Sequence, residues 1–255
     1  MKVAEITFSP TGGTQKAASI ITSELGGTVS KIDLTDWNTD FENIILGKED
    51  IAVMAVPSYG GRVPALAAER IKKLRGDQTK CILVCVYGNR AYEDTLVELN
   101  DIAKNCGFQI IAAISAIAEH SIMHQYAAGR PDSQDTAELR SFAGQIMKKL
   151  DDGAAETKPL NLPGSRPYKK AGGSGLVPKA DHHCTHCGLC AKKCPAQAIS
   201  YENNKVTDGS KCISCMRCVS ICPQSARTLN KLMVSAAALA MKKVCSEKKN
   251  NELFL

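Results

Sequence analysis

Two runs of cysteines near the C-terminus constrain this chain of 255 residues more than any other feature. One run begins at Cys184 and the other at Cys212, and each has the spacing C-x2-C-x2-C-x3-C followed by proline. Thiolates at these intervals are typical of proteins that surround iron–sulfur clusters. The runs occupy residues 184–223, so the long stretch before them must fold as something else.

Zinc and disulfides are the alternative uses of clustered cysteines. Structural zinc is usually bound by two C-x2-C pairs separated by a longer loop, whereas here three cysteines follow in series. Disulfides require an oxidising compartment, and residues 1–5 lead directly into a strand pattern without a secretory signal. We therefore expect bound metal and a cytoplasmic protein. The remaining cysteines, which lack ligand spacing, are Cys81, Cys85, Cys106 and Cys245.

The duplicated motif resembles that of bacterial-type ferredoxins, in which each [4Fe-4S] cluster takes three cysteines from one run and the fourth from the other. This resemblance implies that one cluster is bound by Cys184, Cys187, Cys190 and Cys222. It implies that the second cluster is bound by Cys212, Cys215, Cys218 and Cys194. The segment would form a small α+β domain with two clusters.

Residues 1–150 alternate between short apolar runs and helix-like stretches. The apolar runs predict strands at Val3–Phe8, Thr28–Leu34, Ile51–Val56, Cys81–Tyr87 and Phe108–Ile117. The other stretches predict helices at Thr14–Leu25, Pro64–Leu74, Ala91–Asn105 and Ser133–Leu150. This alternation predicts an α/β domain with a doubly wound, five-stranded parallel sheet that helices cover on both faces. Ligands of such sheets bind at the carboxyl ends of the strands.

Three loops at that edge of the predicted sheet carry candidate binding residues. The loop from Ser9 to Thr14 combines hydroxyls, glycines and the start of a helix, which suits a phosphate monoester. It has neither the lysine of a nucleoside-triphosphate loop nor the glycine pattern of a dinucleotide fold. The loops that contain Tyr59 and Tyr87 each place a tyrosine beside glycine, as stacking on a flat ring requires. Each loop, taken alone, also fits an ordinary turn.

Together, the three loops and the cysteine runs resemble bacterial flavodoxin–ferredoxin fusion proteins, whose flavodoxin-like half binds FMN. The resemblance implies that the phosphate is held by Ser9, Thr11, Gly12, Gly13 and Thr14. It implies that one side of the isoalloxazine ring is lined by Pro57, Ser58, Tyr59, Gly60 and Gly61. It implies that the other side is lined by Tyr87, Gly88, Asn89, Arg90 and Tyr92. The cations Arg62 and Arg90 depart from the acidic ring loops of free flavodoxins, so carrier-type one-electron behaviour does not simply follow.

The loop after the fifth strand contains His120 and Arg130. Each would face the flavin as a proton donor or anion anchor, or would instead fix the loop or cap the next helix. Together with Arg90 they are the candidates for catalysis. No nucleophile–base pair argues for hydrolysis.

Composition indicates the domain limits. We expect a flavodoxin-like domain over 1–150, a linker rich in proline and glycine over 151–180, a ferredoxin domain over 181–227, and a C-terminal helix and tail over 228–255. Residues 151–255 carry 16 Lys and Arg against 8 Asp and Glu, but without interleaved aromatic residues, so nucleic acid is not an expected partner. No apolar run approaches the ~20 residues that span a membrane.

The expected function is electron transfer between two [4Fe-4S] clusters and FMN within one chain. It would serve an oxidoreductase that reduces a small molecule or cofactor at the flavin, with a redox protein or a small oxidant or reductant as partner. The alternative is an electron carrier or adaptor for a larger redox partner, without a substrate of its own. A sensor is less favoured, because no DNA-binding element is visible.

Overall fold

The computed structural model describes residues 2–152, 159–173 and 175–255. Its strands are β1 (Lys2–Thr7), β2 (Thr28–Asp33), β3 (Ile51–Pro57), β4 (Lys80–Tyr87), β5 (Gln109–Ile117), β6 (Lys179–Ala180), β7 (Arg227–Thr228) and β8 (Glu252–Phe254). Its α-helices are α1 (Gly13–Thr22), α2 (Ala65–Ile71), α3 (Thr95–Asn105), α4 (Ser133–Asp151), α5 (Leu189–Lys192), α6 (Arg217–Ser220) and α7 (Lys231–Cys245). A short 3-10 helix covers Phe41–Asn43.

The main sheet has the strand order β2-β1-β3-β4-β5-β8. The first five of these strands are parallel, and β8 pairs with β5 in the antiparallel direction. The predicted five-stranded parallel sheet is confirmed, and the order 2-1-3-4-5 is that of the flavodoxin-like fold. The sixth strand is an addition that the apolar pattern does not predict.

Helices cover both faces of this sheet, as continuous apolar strands require. On one face α1 and α4 bury Ile21 and Leu139 against the strands. On the other face α2 and α3 bury Ile71 and Leu99. The sequence predicts that α3 begins at Ala91, but the helix begins at Thr95, because the chain turns at residues 93 and 94. The edge formed by the carboxyl ends of β1, β3, β4 and β5 is left for the connecting loops.

The ferredoxin half has little regular structure. Strands β6 and β7 pair in the antiparallel direction, and the one-turn helices α5 and α6 each carry one cysteine, Cys190 and Cys218 respectively. Its buried apolar cluster consists of Ala191, Cys194, Ala198, Ile199 and Cys218. Two of these five residues are cysteines of the repeated motif, so the half is organised around them.

Residues 159–173, which we call the strap, lie against the flavodoxin-like half. The carboxylate of Asp94 accepts hydrogen bonds from the backbone N–H groups of Ser165 (2.9 Å) and Lys169 (2.7 Å). The guanidinium of Arg62 lies over the Tyr168 ring, 4.9 Å from its centroid. The described part of the predicted linker is thus a wrapping connection; residues 153–158 and 174 lie outside the described residues.

The C-terminal segment returns to the flavodoxin-like half after the ferredoxin half. Helix α7 packs on the loop after β5, where the Tyr126 hydroxyl donates to the carbonyl of Ala238 at 2.6 Å. The tail then places β8 beside β5, and Asn251 accepts a hydrogen bond from the backbone of Ile117 at 2.8 Å. Within the described residues, no helix is both long and apolar enough to cross a bilayer.

Candidate cofactor sites

A cavity of about 650 Å³ lies at the carboxyl edge of the parallel strands, which we call the flavin cavity. Its walls include parts of all three loops predicted to bind FMN and the loop after β5. Other segments complete it, namely the strap, helix α7 and one loop of the ferredoxin half. The topology explains this position, because parallel strands deliver successive loops to the same edge.

The loop after β1 is built as a cradle at the start of α1. Gly12 has a left-handed backbone (φ 96°), which turns the chain so that the helix begins at Gly13. Thr14 is buried, and the cavity-lining residues of this loop are Pro10, Thr11, Gly13 and Thr14. Ser9 does not line the cavity, because its Oγ accepts a hydrogen bond from the backbone of Gln15 at 2.9 Å.

The loop after β3 contributes Pro57, Ser58, Tyr59 and Gly60 to the flavin cavity. Gly61 is turned out of the cavity wall, and its carbonyl accepts a hydrogen bond from the backbone of Asp94 at 3.0 Å. The expected cation beside the flavin is also absent from this loop. Arg62 donates to both carboxylate oxygens of Glu98 at 2.7 Å, an arrangement that directs its charge away from the cavity.

The loop after β4 divides into residues that face the cavity and residues that fasten the tail. Tyr87, Gly88 and Arg90 line the cavity, and Arg90 pairs with Glu93 at 3.0 Å. Asn89 does not line it, because its amide donates to the carbonyls of Cys245 (2.7 Å) and Glu247 (2.8 Å). Tyr92 also points elsewhere, and its hydroxyl donates to Glu252 at 2.5 Å.

The two candidates in the loop after β5 have different surroundings. His120 lines the cavity, and its Nδ1 accepts hydrogen bonds from the backbone of Ile122 (3.1 Å) and Met123 (3.2 Å). Burial lowers the pKa of His120, so the ring is neutral near pH 7, and the two acceptor bonds assign its proton to Nε2. Arg130 is not part of the cavity wall, because its guanidinium binds Asp135 and the carbonyl of Lys249. The prediction that Arg130 faces the flavin is therefore not supported, because the side chain lies outside the cavity wall.

Several cavity residues are absent from the sequence interpretation because they lie far away along the chain. Helix α7 contributes Met233, Ala237 and Met241, and the strap contributes Lys169, Gly172 and Gly173. Gly60 has a left-handed backbone (φ 62°), and a Cβ there would lie 3.1 Å from the carbonyl oxygen of Gly172. The ferredoxin half contributes Ile213 and Ser214. In the sequence, the signal for the contribution of α7 is the spacing of Met233, Ala237 and Met241, which places these apolar residues on one face of the predicted C-terminal helix.

The eight motif cysteines surround two smaller cavities. One, which we call the Cys187 site, is bordered by Cys184, Cys187, Cys190 and Cys222. The other, the Cys215 site, is bordered by Cys194, Cys212, Cys215 and Cys218. Burial raises the pKa of Cys215 to about 11 and that of Cys218 to about 12. Thiolates in such surroundings need a bound cation, which fits a metal cluster.

Each cysteine cavity also has one arginine in its wall, Arg227 at the Cys187 site and Arg217 at the Cys215 site. The Nε atoms of both side chains are buried and have no hydrogen-bond partner among the described residues. A buried donor without an acceptor is costly, whereas the sulfur atoms of an anionic cluster accept such hydrogen bonds. The donor sets of both cavities therefore fit iron–sulfur clusters.

The family described as a 4Fe-4S dicluster domain matches residues 183–227. The chain is also 40% identical over 47 residues to a ferredoxin-like protein in the nif region of Sinorhizobium fredii, a match that covers 16% of this chain and 73% of that protein.

Two solved structures resemble the first part of the chain. A flavodoxin of Streptococcus pneumoniae is 19% identical, with a TM-score of 0.42 over 58% of this chain and 99% of that one. A rubredoxin:oxygen oxidoreductase of Desulfovibrio gigas is 16% identical, with a TM-score of 0.43 over 60% of this chain and 37% of that one. The strand order 2-1-3-4-5 itself gives the flavodoxin-like fold. Residues 183–227 belong to the 4Fe-4S ferredoxins, and the chain is a flavodoxin–ferredoxin fusion protein that transfers electrons.

Proposed function

We propose that this protein passes electrons between two [4Fe-4S] clusters and a bound FMN, and that the reduced flavin reduces a small molecule or a cofactor. One observation carries the proposal. Ile213 and Ser214, which lie between Cys212 and Cys215, form part of the wall of the flavin cavity. A site for one-electron chemistry and a site for two-electron chemistry thus share a wall, and the protein sets the distance between the cofactors.

The choice of FMN rests on the loop after β1. Thr14 is buried there, and the helix N-terminus supplies neutral N–H donors, as a terminal phosphate monoester requires. The nearby cation is directed elsewhere, because Lys16 donates its Nζ to the carbonyl of Pro131 at 2.6 Å. The loop lacks the glycine pattern that binds the pyrophosphate of a dinucleotide. In this proposal Thr11, Gly13 and Thr14 hold the phosphate.

Reduction of a small molecule is supported by the polar groups in the cavity wall. Arg90 lies in the wall as an ion pair with Glu93 at 3.0 Å, and His120 is neutral with its proton on Nε2. The N–H donor of His120 suits a carbonyl-type acceptor beside the flavin ring. The loops position both residues independently of the cysteines. We retain Arg90 and His120 as candidates for catalysis.

The carrier function is a second candidate because helix α7 covers the cavity. Met233, Ala237 and Met241 lie in its wall, and the hydroxyl of Tyr126 holds the helix through the carbonyl of Ala238. A covered flavin exchanges electrons more readily through the clusters than with a dissolved substrate. In that case the clusters would serve a larger redox partner.

Anaerobic purification followed by cofactor analysis tests the proposal. Each chain should hold about eight irons, about eight sulfides and one FMN. The reduced protein should then be mixed with a series of small oxidants. Rapid oxidation by one class of small molecule, slowed in His120→Gln, supports the enzyme. Slow oxidation by every small molecule, with fast transfer to a redox protein, supports the carrier. Bound zinc without iron contradicts both.

The phosphate loop has its own test. Replacing Thr11 and Thr14 together by alanine removes two hydroxyl donors, which at roughly 1 kcal/mol each should weaken FMN binding about ten- to a hundredfold. Riboflavin binding should change little, since riboflavin lacks the phosphate. Thr28→Ala, at an exposed position in β2, is the matched control. Equal loss for FMN and riboflavin would mean that the loop does not hold a phosphate.

A further inference from the structure

We infer that the two clusters have fixed and different places in the electron path: the cluster of the Cys215 site exchanges electrons with the flavin, and the cluster of the Cys187 site connects to it from outside. The inference rests on the proposed function, because it requires both clusters and the flavin. It adds an order of cofactors that the duplicated cysteine motif does not contain.

The first observation is a shared wall. Ile213 lines both the flavin cavity and the Cys215 site, so the two cavities share this residue. Tyr59, in the loop after β3, lines the flavin cavity from the flavodoxin-like half.

The second observation is a pair of hydrogen bonds between the two halves, which accompany a longer one from the exposed Trp37 to the carbonyl of Lys192 at 3.4 Å. Arg217, which stands between Cys215 and Cys218, donates its Nη1 to the carbonyl of Ser9 at 3.3 Å. Arg70, on α2, donates its Nη2 to the carbonyl of Pro195 at 2.7 Å, next to Cys194. Both bonds attach residues adjacent to cysteines of the Cys215 site to the flavodoxin-like half. The first bond holds this site at Ser9 in the loop after β1, and the second ties it to α2.

The Cys187 site has the opposite environment. Cys187 is exposed to solvent, whereas Cys215 is buried. Among the described residues, hydrogen bonds of residues 182–190 stay within the ferredoxin half, and none reaches residues 2–152. This site therefore faces away from the flavin cavity and toward solvent, where a redox partner has access.

The electron balance follows from the cofactors. Full reduction of one flavin takes two electrons, and each reduced cluster supplies one when it is oxidised, while protons come from solvent. The rate of electron transfer falls steeply with distance. The electron held at the Cys187 site therefore travels through the Cys215 site to the flavin. An external one-electron donor, such as a reduced low-potential redox protein, then refills the Cys187 site.

The test compares Cys187→Ser with Cys215→Ser in the full chain, since these cysteines hold the same place in their motifs. Fully reduced clusters are paramagnetic and broaden the phosphorus resonance of a nearby bound FMN, and this broadening also falls steeply with distance. The fully reduced wild-type protein should show broadening relative to the oxidised protein. Cys187→Ser should keep most of it, and Cys215→Ser should lose most of it. Cys106→Ser, outside both sites, should match the wild type.

The outcomes separate this inference from the proposed function. If the wild-type protein binds no flavin or holds a single cluster, the proposed function itself is wrong. If all cofactors are present and Cys187→Ser abolishes the broadening, the inferred order is wrong. Cys187→Ser decides the question alone if Cys215→Ser does not fold, because Cys187 is exposed and the flavin cavity does not include it.

Discussion

In the flavodoxin-like half the cofactor cavity lies at the edge of a sheet that is buried on both faces. In the ferredoxin half the cavities are supported by only a small apolar cluster. Strand β4 alone buries seven of its eight residues, with helices above and below. The ferredoxin half has one apolar cluster of five buried residues, and Cys194 and Cys218 are among them. The first cavity is therefore formed by packing that is independent of its ligand. The two cysteine cavities depend instead on the metal that the cysteines bind, as in other small domains that a metal stabilises.

Removal of iron should unfold the ferredoxin half and leave the flavodoxin-like half folded. In apoprotein prepared by chelation, residues 181–227 should lose protection from hydrogen exchange, because their buried thiols and the Nε atoms of Arg217 and Arg227 lose their partners. Strands β3, β4 and β5 should keep their protection. Hydrogen exchange followed by mass spectrometry measures both regions in one sample. Equal protection of residues 181–227 with and without iron would show that this half folds by packing alone.

Local sequence patterns predict some features of this structure and not others. Repeated local patterns predict the five parallel strands, and the loop positions follow from them; the cysteine spacing predicts the ferredoxin half. Contacts between distant segments leave no such pattern. Asn89 follows Tyr87-Gly88 and so resembles a ring-binding residue, but its amide binds the tail. Strand β8 has three residues, too few to show a period, and it is held by pairing with β5 and by Asn251. Arg62 pairs with Glu98, 36 residues later on α3, and Arg130 pairs with Asp135 in the first turn of α4.

The C-terminal tail returns from the ferredoxin half to the flavodoxin-like half, where the Asn89 amide holds it. The substitution Asn89→Ala should detach the tail. The carbonyls of Cys245 and Glu247 then lose a donor, which costs about 1–3 kcal/mol for buried groups. Residues 245–254 should exchange hydrogen faster, and FMN should dissociate faster because α7 covers the cavity. Both clusters should remain, since no cysteine of either site touches this amide. Asn38→Ala, at an exposed turn, is the control. Loss of iron from Asn89→Ala would show that the tail also supports the ferredoxin half.

Arg227→Gln should show how a buried cation sets the reduction potential of the cluster at the Cys187 site. Arg227 is 2% exposed and lies in the wall of the Cys187 site, so its cation favours the more negative, reduced form of that cluster. Its removal should lower the reduction potential of that cluster by roughly 50–100 mV, equivalent to about one to two tenfold changes in a one-electron equilibrium. Potentiometric titration followed by electron paramagnetic resonance gives the value. Lys205→Gln removes an exposed cation nearby and should shift the potential far less. Equal shifts in both variants would mean that burial of Arg227 adds nothing.

The strap should give the smallest effect, because its anchor is partly exposed. The hydrogen bond from Arg166 lowers the pKa of Asp101 to about 2, against the opposing effect of burial and with help from Tyr168. The stabilisation from a lowered carboxyl pKa is complete above the unfolded value of about 3.9 and is lost as the pH falls toward 2. Since Arg166 is 56% exposed, solvent screening leaves about 0.5–1 kcal/mol. Asp101→Asn should therefore speed proteolytic cleavage within residues 159–173 by about two- to fivefold, uniformly from pH 8 to pH 5, while Asp151→Asn, on the exposed end of α4, should not. A difference between wild type and Asp101→Asn that grows between pH 8 and pH 5 would mean that another group anchors the strap.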